Sequence, residues 1–178
     1  MGRTCNAPYS RPVAGAGQAC RVGGDGEQEG LAAMMFQRFG DRLVVRLESG
    51  EPVVESITGL LEEEDIGFAV LNGLGAARYV RLAYLDVERR EYEAREVEEQ
   101  LEVVGLIGNA ALREGKPFLH VHVSMGRRDL SLFGGHLQEL IANPTIEIWI
   151  QPEADAVQRV FDDEIGMAVM QLPERRRV

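Results

Sequence analysis

From Phe36 onward, the sequence is a succession of short apolar segments separated by connections of mostly hairpin length. Segments of this kind, bounded by glycine or by charged turns, are typical of β-strands. They predict strands over 42–50, 66–77, 78–87, 101–112, 118–125, 130–140 and 145–153, with a further strand over 166–172. Because hairpin-length connections join antiparallel neighbours, this succession favours a mostly antiparallel sheet.

One segment departs from the strand pattern. Within residues 51–65, apolar side chains recur at helical spacing, and Pro52 suits the first helical position. Residues 154–161 predict a second, shorter helical piece. The predicted fold class is therefore α/β of the α+β type, in which a central, mostly antiparallel sheet packs against one main helix. The apolar stripe of that helix consists of Val53, Val54, Ile57, Leu60 and Leu61.

The organisation along the chain follows from local composition. Residues 1–33 are dominated by Gly, Ala, Pro and small polar residues without periodicity, so we expect a disordered N-terminal extension. Met34 and Met35 directly precede the patterned region, which leaves open that the natural start lies there. We expect the folded domain over 34–172 and a basic tail over 173–178.

The chain is acidic, with a formal net charge of −10. Such a surface repels phosphate backbones and disfavours non-specific binding of nucleic acid. No apolar run approaches the ~18–20 residues that span a bilayer, so we expect no membrane partner. The two cysteines, Cys5 and Cys20, lack the paired CxxC spacing of a zinc ribbon. The remaining chain has no cysteine, which fits a reducing compartment, and we expect a cytoplasmic protein.

All three histidines of the chain, His120, His122 and His136, fall within seventeen positions. On a strand over 118–125, successive side chains alternate between the two faces of the sheet. His120 and His122 therefore point the same way, with Cα atoms ~7 Å apart, while the apolar residues between and around them form the core face. Two imidazoles at this spacing can converge on one ion.

The hairpin register positions the third histidine. If residues 126–129 form a four-residue loop, His120 faces Gly135 on the next strand. A β-bulge at Gly134-Gly135, where glycine tolerates the required backbone angles, would bring His136 opposite His120 on the same face. The predicted hairpin thus gathers all three imidazoles.

Three neutral imidazoles suit Zn²⁺, and also Ni²⁺, Fe²⁺ or Cu²⁺. We predict a divalent-metal site with zinc as the expected cofactor and His120, His122 and His136 as its ligands. Its open fourth position would hold water or a small-molecule ligand and would permit metal-dependent hydrolase or lyase chemistry. The alternative is that the histidines only line a polar pocket or a contact between subunits.

No catalytic residue can be assigned from the sequence. Glu98, Glu99 and Glu102 are candidate general bases only because they are acidic and adjoin the strand over 101–112, and surface positions are the simpler interpretation. The chain has no Walker A sequence, no G-x-G-x-x-G and no G-x-S-x-G elbow, so P-loop, dinucleotide-binding and serine-hydrolase readings are disfavoured. Whether the chain is an enzyme stays open.

Residues 36 to about 152 resemble the plants-and-prokaryotes conserved domain family. The resemblance lies in the order of GDRLVVRLESGEPVVESI, GFAVLNGLGAARYVRLAYLD and LEVVGLIGNAALREGKPFLHVHVSMGRRDLSLFGGHL, followed by TIEIWI. Its most specific part, HVHVSMGRRDLSLFGGHL, is similar to the prokaryotic branch. The resemblance implies an α/β fold with an antiparallel sheet, a homotrimer, and metal ligands, usually for zinc, at His120, His122 and His136.

The same resemblance implies an alternative role, because prokaryotic members are often labelled DNA-binding and plant relatives carry AT-hooks. This chain has no R-G-R-P core, and its only dense basic cluster is Arg175-Arg176-Arg177. Three charges support only weak, salt-dependent binding. A DNA-associated regulatory or architectural protein is therefore the second hypothesis, after a metal-binding domain with a small-molecule or enzymatic role. A purely structural interaction module is the third.

Overall fold

The computed structural model describes residues 34–89 and 91–173, so the predictions for residues 1–33 and for most of the basic tail lie outside the described residues. The described chain contains nine strands and a single helix. In chain order the elements are β1 (Met35–Phe39), β2 (Arg42–Glu48), α1 (Val53–Glu63), β3 (Phe68–Asp86), β4 (Glu91–Val97), β5 (Leu101–Arg113), β6 (Lys116–Gly126), β7 (Leu132–Pro152), β8 (Gln158–Asp162) and β9 (Met167–Gln171). Within this part, no helix is long and apolar enough to span a membrane.

The strands form one sheet in the order β1-β2-β7-β3-β5-β8-β9, with β4 beside β3 and β6 between β5 and β7. All pairings are antiparallel except the short parallel contact between β5 and β8, which confirms the mostly antiparallel sheet. β3 pairs with β5, β5 with β6, β6 with β7, and β7 with β3. These four strands therefore close into a ring of hydrogen-bonded pairs.

Two strands are much longer than predicted. β3 joins the segments predicted as 66–77 and 78–87, and β7 joins those predicted as 130–140 and 145–153. In β3 the glycines permit the join: at Gly75 φ is +148° and a Cβ would meet Thr145 O at 2.4 Å. In β7 the pairing with β3 skips the residues around Pro144 and resumes beyond it, because proline has no N–H to donate.

The core lies between α1 and the inner face of the sheet. Val53, Ile57, Leu60 and Leu61 of the predicted helical stripe are at most 2% exposed. They face inward-pointing residues of β2, β6 and β7 in one continuous apolar cluster. Burying each such side chain stabilises the fold by roughly 1.5–3 kcal/mol. The predicted helix and its packing face are confirmed, except that Pro52 precedes the first helical residue as the N-cap and that Val54 is only partly buried.

The prediction of a short helix over 154–161 is wrong. β8 and β9 form an antiparallel hairpin with Asp162 opposite Met167. The Asp162 carboxylate accepts hydrogen bonds from the backbone N–H groups of Glu164 and Ile165, and Gly166 turns the chain at φ +80°. The local apolar spacing is compatible with either a helix or a strand, and pairing with β9 decides in favour of the strand. The hairpin carries Arg159, which is buried.

Candidate metal centre

The histidines lie on the face of β6 that points away from the core. Val121, Val123 and Met125 are at most 3% exposed and pack inward. The alternation of the strand turns His120 and His122 outward, as predicted. Core packing on one face thus orients the imidazoles on the other.

His136 reaches the pair by a different register from the one predicted. The loop comprises residues 127–131. It starts one residue later and ends two residues later than predicted, so it has five residues, and His122 pairs directly with His136. The loop is closed by the Asp129 carboxylate, which accepts hydrogen bonds from the N–H and the hydroxyl of Ser131. The predicted four-residue loop is therefore wrong, and so is the pairing of His136 with His120.

Gly134 of the double glycine allows close approach of the two strands, and no bulge forms there. The β6–β7 pairing runs without interruption from His122–His136 to Gly126–Leu132. A Cβ at Gly134 would meet Val123 O at 2.2 Å, so only glycine fits at this strand spacing. The predicted β-bulge at Gly134-Gly135 is absent from this pairing, although the expected gathering of the imidazoles is present.

The three imidazoles converge closely. One nitrogen of each residue, His120, His122 and His136, lies within 4.8 Å of the others. The ring centroids are 5.3–5.5 Å apart. Two nitrogens on a tetrahedral zinc are about 3.3 Å apart, since each Zn–N bond is about 2.0–2.1 Å. Small side-chain rotations can close the remaining gap, so this group can hold a metal ion.

Burial and neighbouring positive charge keep two of the three imidazoles neutral. Burial, and then the positive charge of Arg159 and the other two histidines, lowers the pKa of His120 to about 4. Burial also lowers the pKa of His136, with further contributions from His122 and Arg159. Near pH 7 these two rings therefore present the neutral form that metal ions require.

The lowered pKa of His120 predicts a pH-dependent stability for the metal-free protein. Between pH 6.5 and 4, His120 is protonated in the unfolded chain but stays neutral in the folded chain. The free energy of unfolding should therefore fall as the pH drops through this range. After allowing for partial exposure, we expect wild type to lose about 1–2 kcal/mol more than His120→Gln. Urea unfolding of both proteins at pH 7 and pH 4.5 measures this difference, and equal losses would contradict it.

Arg159 contacts the cluster directly. Its Nη2 donates to Asn109 Oδ1 at 2.8 Å and lies 3.0 Å from His120 Nδ1. A guanidinium has only donors, so His120 Nδ1 is the acceptor. Asn109 lies opposite His120 in the β5–β6 pairing. Sequence reasoning missed both residues, because no local pattern singles out Asn109 within the strand predicted over 101–112, and Arg159 lay in a segment predicted to be helical.

A cavity of about 390 Å³ opens beside the cluster. His120, His136 and Arg159 contribute its polar wall. The β8–β9 hairpin and the ring of Phe118 provide most of its apolar wall. His122, which is exposed, lines a neighbouring depression instead. The histidines thus stand at the edge of a ligand-sized cavity.

The structure does not bring the acidic candidates to this cavity. Glu99 bonds Arg127 at 2.7 Å, and Glu102 pairs with Gly126 at the far end of β6. Glu98 is exposed in the segment before β5. None of the three lines the cavity beside the histidines. No general base is placed at the cluster by these residues.

A family model described as the Plants and Prokaryotes Conserved domain matches residues 34–153. A metal-containing protein from Archaeoglobus fulgidus is similar, with 31% identity, a TM-score of 0.70, and coverage of 80% of this chain and 100% of that one. A plant- and prokaryote-conserved protein from Pyrococcus horikoshii is 27% identical, with a TM-score of 0.69 and coverage of 80% and 96%.

The fold is also shared with a Bacteroides thetaiotaomicron protein that is provisionally named DNA-binding. That protein is 23% identical, with a TM-score of 0.76 and coverage of 79% of this chain and 98% of the other. No curated protein matches the chain. All three histidines lie within the residues that the family model matches, whereas Arg159 lies beyond them. The chain therefore belongs to the Plants and Prokaryotes Conserved domain family.

Proposed function

We propose that this protein binds one divalent transition metal, with zinc as the expected ion, through His120, His122 and His136. The observation that carries the proposal is the convergence of three imidazole nitrogens within 4.8 Å on two paired strands. A 31% identical relative from Archaeoglobus fulgidus is named a metal-containing protein, which supports the same reading.

The donor set suits zinc. Imidazole nitrogens are common zinc ligands, and three of them leave a fourth position open. A bound zinc ion would act as a Lewis acid at that position. His120, His122 and His136 would hold the ion, and the adjoining cavity would admit a small molecule. Binding of a small molecule is the role we propose, and hydrolase or lyase chemistry at the same position is the second candidate.

Metal content tests this proposal. Protein incubated with zinc at pH 7.5 and then desalted should retain about one zinc ion per chain by elemental analysis. Native mass spectrometry should show the same stoichiometry. If the protein retains no zinc, the proposal is wrong, and the alternative holds that the three histidines only line a polar pocket.

We also propose a homotrimer, an arrangement that the family resemblance implies. An outer apolar patch supports self-association: Val70, Leu74, Ile107 and Trp149 are between 41% and 65% exposed on the face opposite the core. Ile107 pairs with His122, so the patch adjoins the metal centre. Exposed apolar surface of this kind commonly marks a contact between chains.

Light scattering checks the association. We expect a trimer at micromolar concentration and a shift towards monomer in Ile107→Lys, because burying an unpaired ammonium in the contact is costly. Val87→Lys is the matched control, since Val87 is 75% exposed in the turn before β4. A stable wild-type monomer would contradict the proposal.

DNA association remains the alternative role, supported by the provisional name of the Bacteroides relative. The net charge of −10 opposes it, because contacts with phosphates must overcome general repulsion. For location, we propose the cytoplasm, since residues 34–178 contain no cysteine and fit a reducing compartment.

A further inference from the structure

We propose that the cavity beside the metal centre binds a small carboxylate with an apolar body, and that Arg159 holds the carboxylate next to the metal. This inference rests on the proposed metal site. It adds the chemical class of the ligand and names Arg159, on β8, as the residue that selects this class.

The first observation is a buried positive charge without a carboxylate. Arg159 is 7% exposed, and its hydrogen-bond partners are the neutral groups Ala168 O, Asn109 Oδ1 and His120 Nδ1. Its guanidinium takes part in none of the salt bridges seen between the described side chains. Its Nε is buried without a partner. A buried charge is costly unless it is paired, so the site is suited to an anion.

The second observation concerns the lone pair on His120. The guanidinium of Arg159 donates a hydrogen bond to the lone pair on His120 Nδ1. A neutral imidazole has only one ring nitrogen with a free lone pair, so the other nitrogen, Nε2, carries the proton. A metal bound through Nδ1 would displace Arg159, while a metal bound through Nε2 would leave a proton on Nδ1 facing the arginine. In both cases the hydrogen bond from Arg159 to His120 is lost. Metal binding thus frees a guanidinium donor beside the ion.

The charges then select the ligand. A divalent ion held by three neutral imidazoles would stand beside the guanidinium of Arg159, and none of the described residues that line the cavity is acidic. One carboxylate oxygen on the metal and one on the guanidinium would serve both cations. Arginine binds carboxylates with this planar geometry.

The rest of the cavity lining indicates what kind of group the carboxylate should carry. The side chains of Phe118, Phe161, Met167 and Met170 line it, so an apolar group of a few carbons can pack there. Gln138, also in the lining, has a buried Oε1 without a partner and offers one further polar contact. A volume of about 390 Å³ admits a small molecule with space around it.

Calorimetry on zinc-loaded protein tests the ligand class with four probes: hexanoate, 1-hexanol, hexylamine and inorganic phosphate. We expect hexanoate to bind at least about 10-fold more tightly than each of the others, because it alone combines the negative charge with the apolar tail. Equal binding of hexanol, or tighter binding of phosphate, would overturn the proposal. Equal hexanoate affinity in metal-free protein would also overturn it.

A variant pair assigns the carboxylate to Arg159. Arg159→Gln should weaken hexanoate binding by about 10- to 100-fold, whereas Arg113→Gln, at an exposed position in the same lining, should change it less than about 3-fold. Equal losses in the two variants would contradict the role of Arg159. Circular dichroism checks folding, and Arg159→Lys replaces the first variant if it fails to fold, with the same expected direction.

Zinc content is measured in every sample, so failure of the metal site is separate from failure of the carboxylate site. Wild type that holds zinc but does not prefer hexanoate overturns this inference alone. Wild type without zinc overturns the proposed function and this inference with it.

Discussion

Replacing His136 by alanine is expected to weaken zinc binding by at least about 100-fold. The variant leaves two imidazoles, and loss of a ligand should exceed the 10–100-fold effect typical of residues behind the ligands. Folding should survive, because His136 lies outside the apolar core cluster. Competition with a chromogenic zinc chelator measures the affinity.

Gln138→Ala is the matched control for this variant. Gln138 lies two positions further along β7 and lines the same cavity, but it is not among the three ligands. Zinc at 100 times its dissociation constant should stabilise wild type and Gln138→Ala by about 2.7 kcal/mol against unfolding, and His136→Ala by much less. Equal zinc affinity in His136→Ala and wild type would remove His136 from the site.

Gly108→Ala is expected to destabilise the protein by about 2–4 kcal/mol, since the added methyl overpacks a tight strand contact. A Cβ at Gly108 would meet His120 O at 2.2 Å and Val121 Cα at 2.7 Å, both backbone atoms of β6. The strands would have to separate at the residue that carries the first imidazole. Zinc affinity should therefore fall together with the free energy of unfolding.

Gly59→Ala provides the opposite control. A Cβ at Gly59 meets nothing within 4 Å, and the residue lies inside α1. This change should stabilise the protein by about 0.5–1 kcal/mol through helix propensity, without affecting zinc binding. Urea unfolding of both variants checks the contrast, and a Gly108→Ala variant as stable as wild type would show that β5 and β6 can move apart freely.

The sequence predicts features that depend on local periodicity. The apolar stripe of α1 and the outward pair His120 and His122 each follow from spacing within one element, and both are confirmed. Features that depend on pairing between distant segments are predicted less well. The register of His136 depends on the loop over 127–131, whose Asp129–Ser131 contact sets its length.

Arg159 shows this limit most clearly. Its approach to His120 requires the β8–β9 hairpin to pack beside β5 and β6, and 39 positions separate the two residues. No spacing rule within one segment anticipates such a contact. The three histidines were predictable because a single hairpin holds them, whereas the second wall of the cavity comes from a later part of the chain.

The ring formed by β3, β5, β6 and β7 has a consequence for the order of assembly during synthesis. β7 is the last of these strands along the chain, and it carries His136. His120 and His122 on β6 are synthesised earlier, and the third ligand joins them only when β7 docks on both β3 and β6. A nascent chain would therefore acquire its full metal affinity only when the ring closes, so zinc uptake would report the closure of the ring.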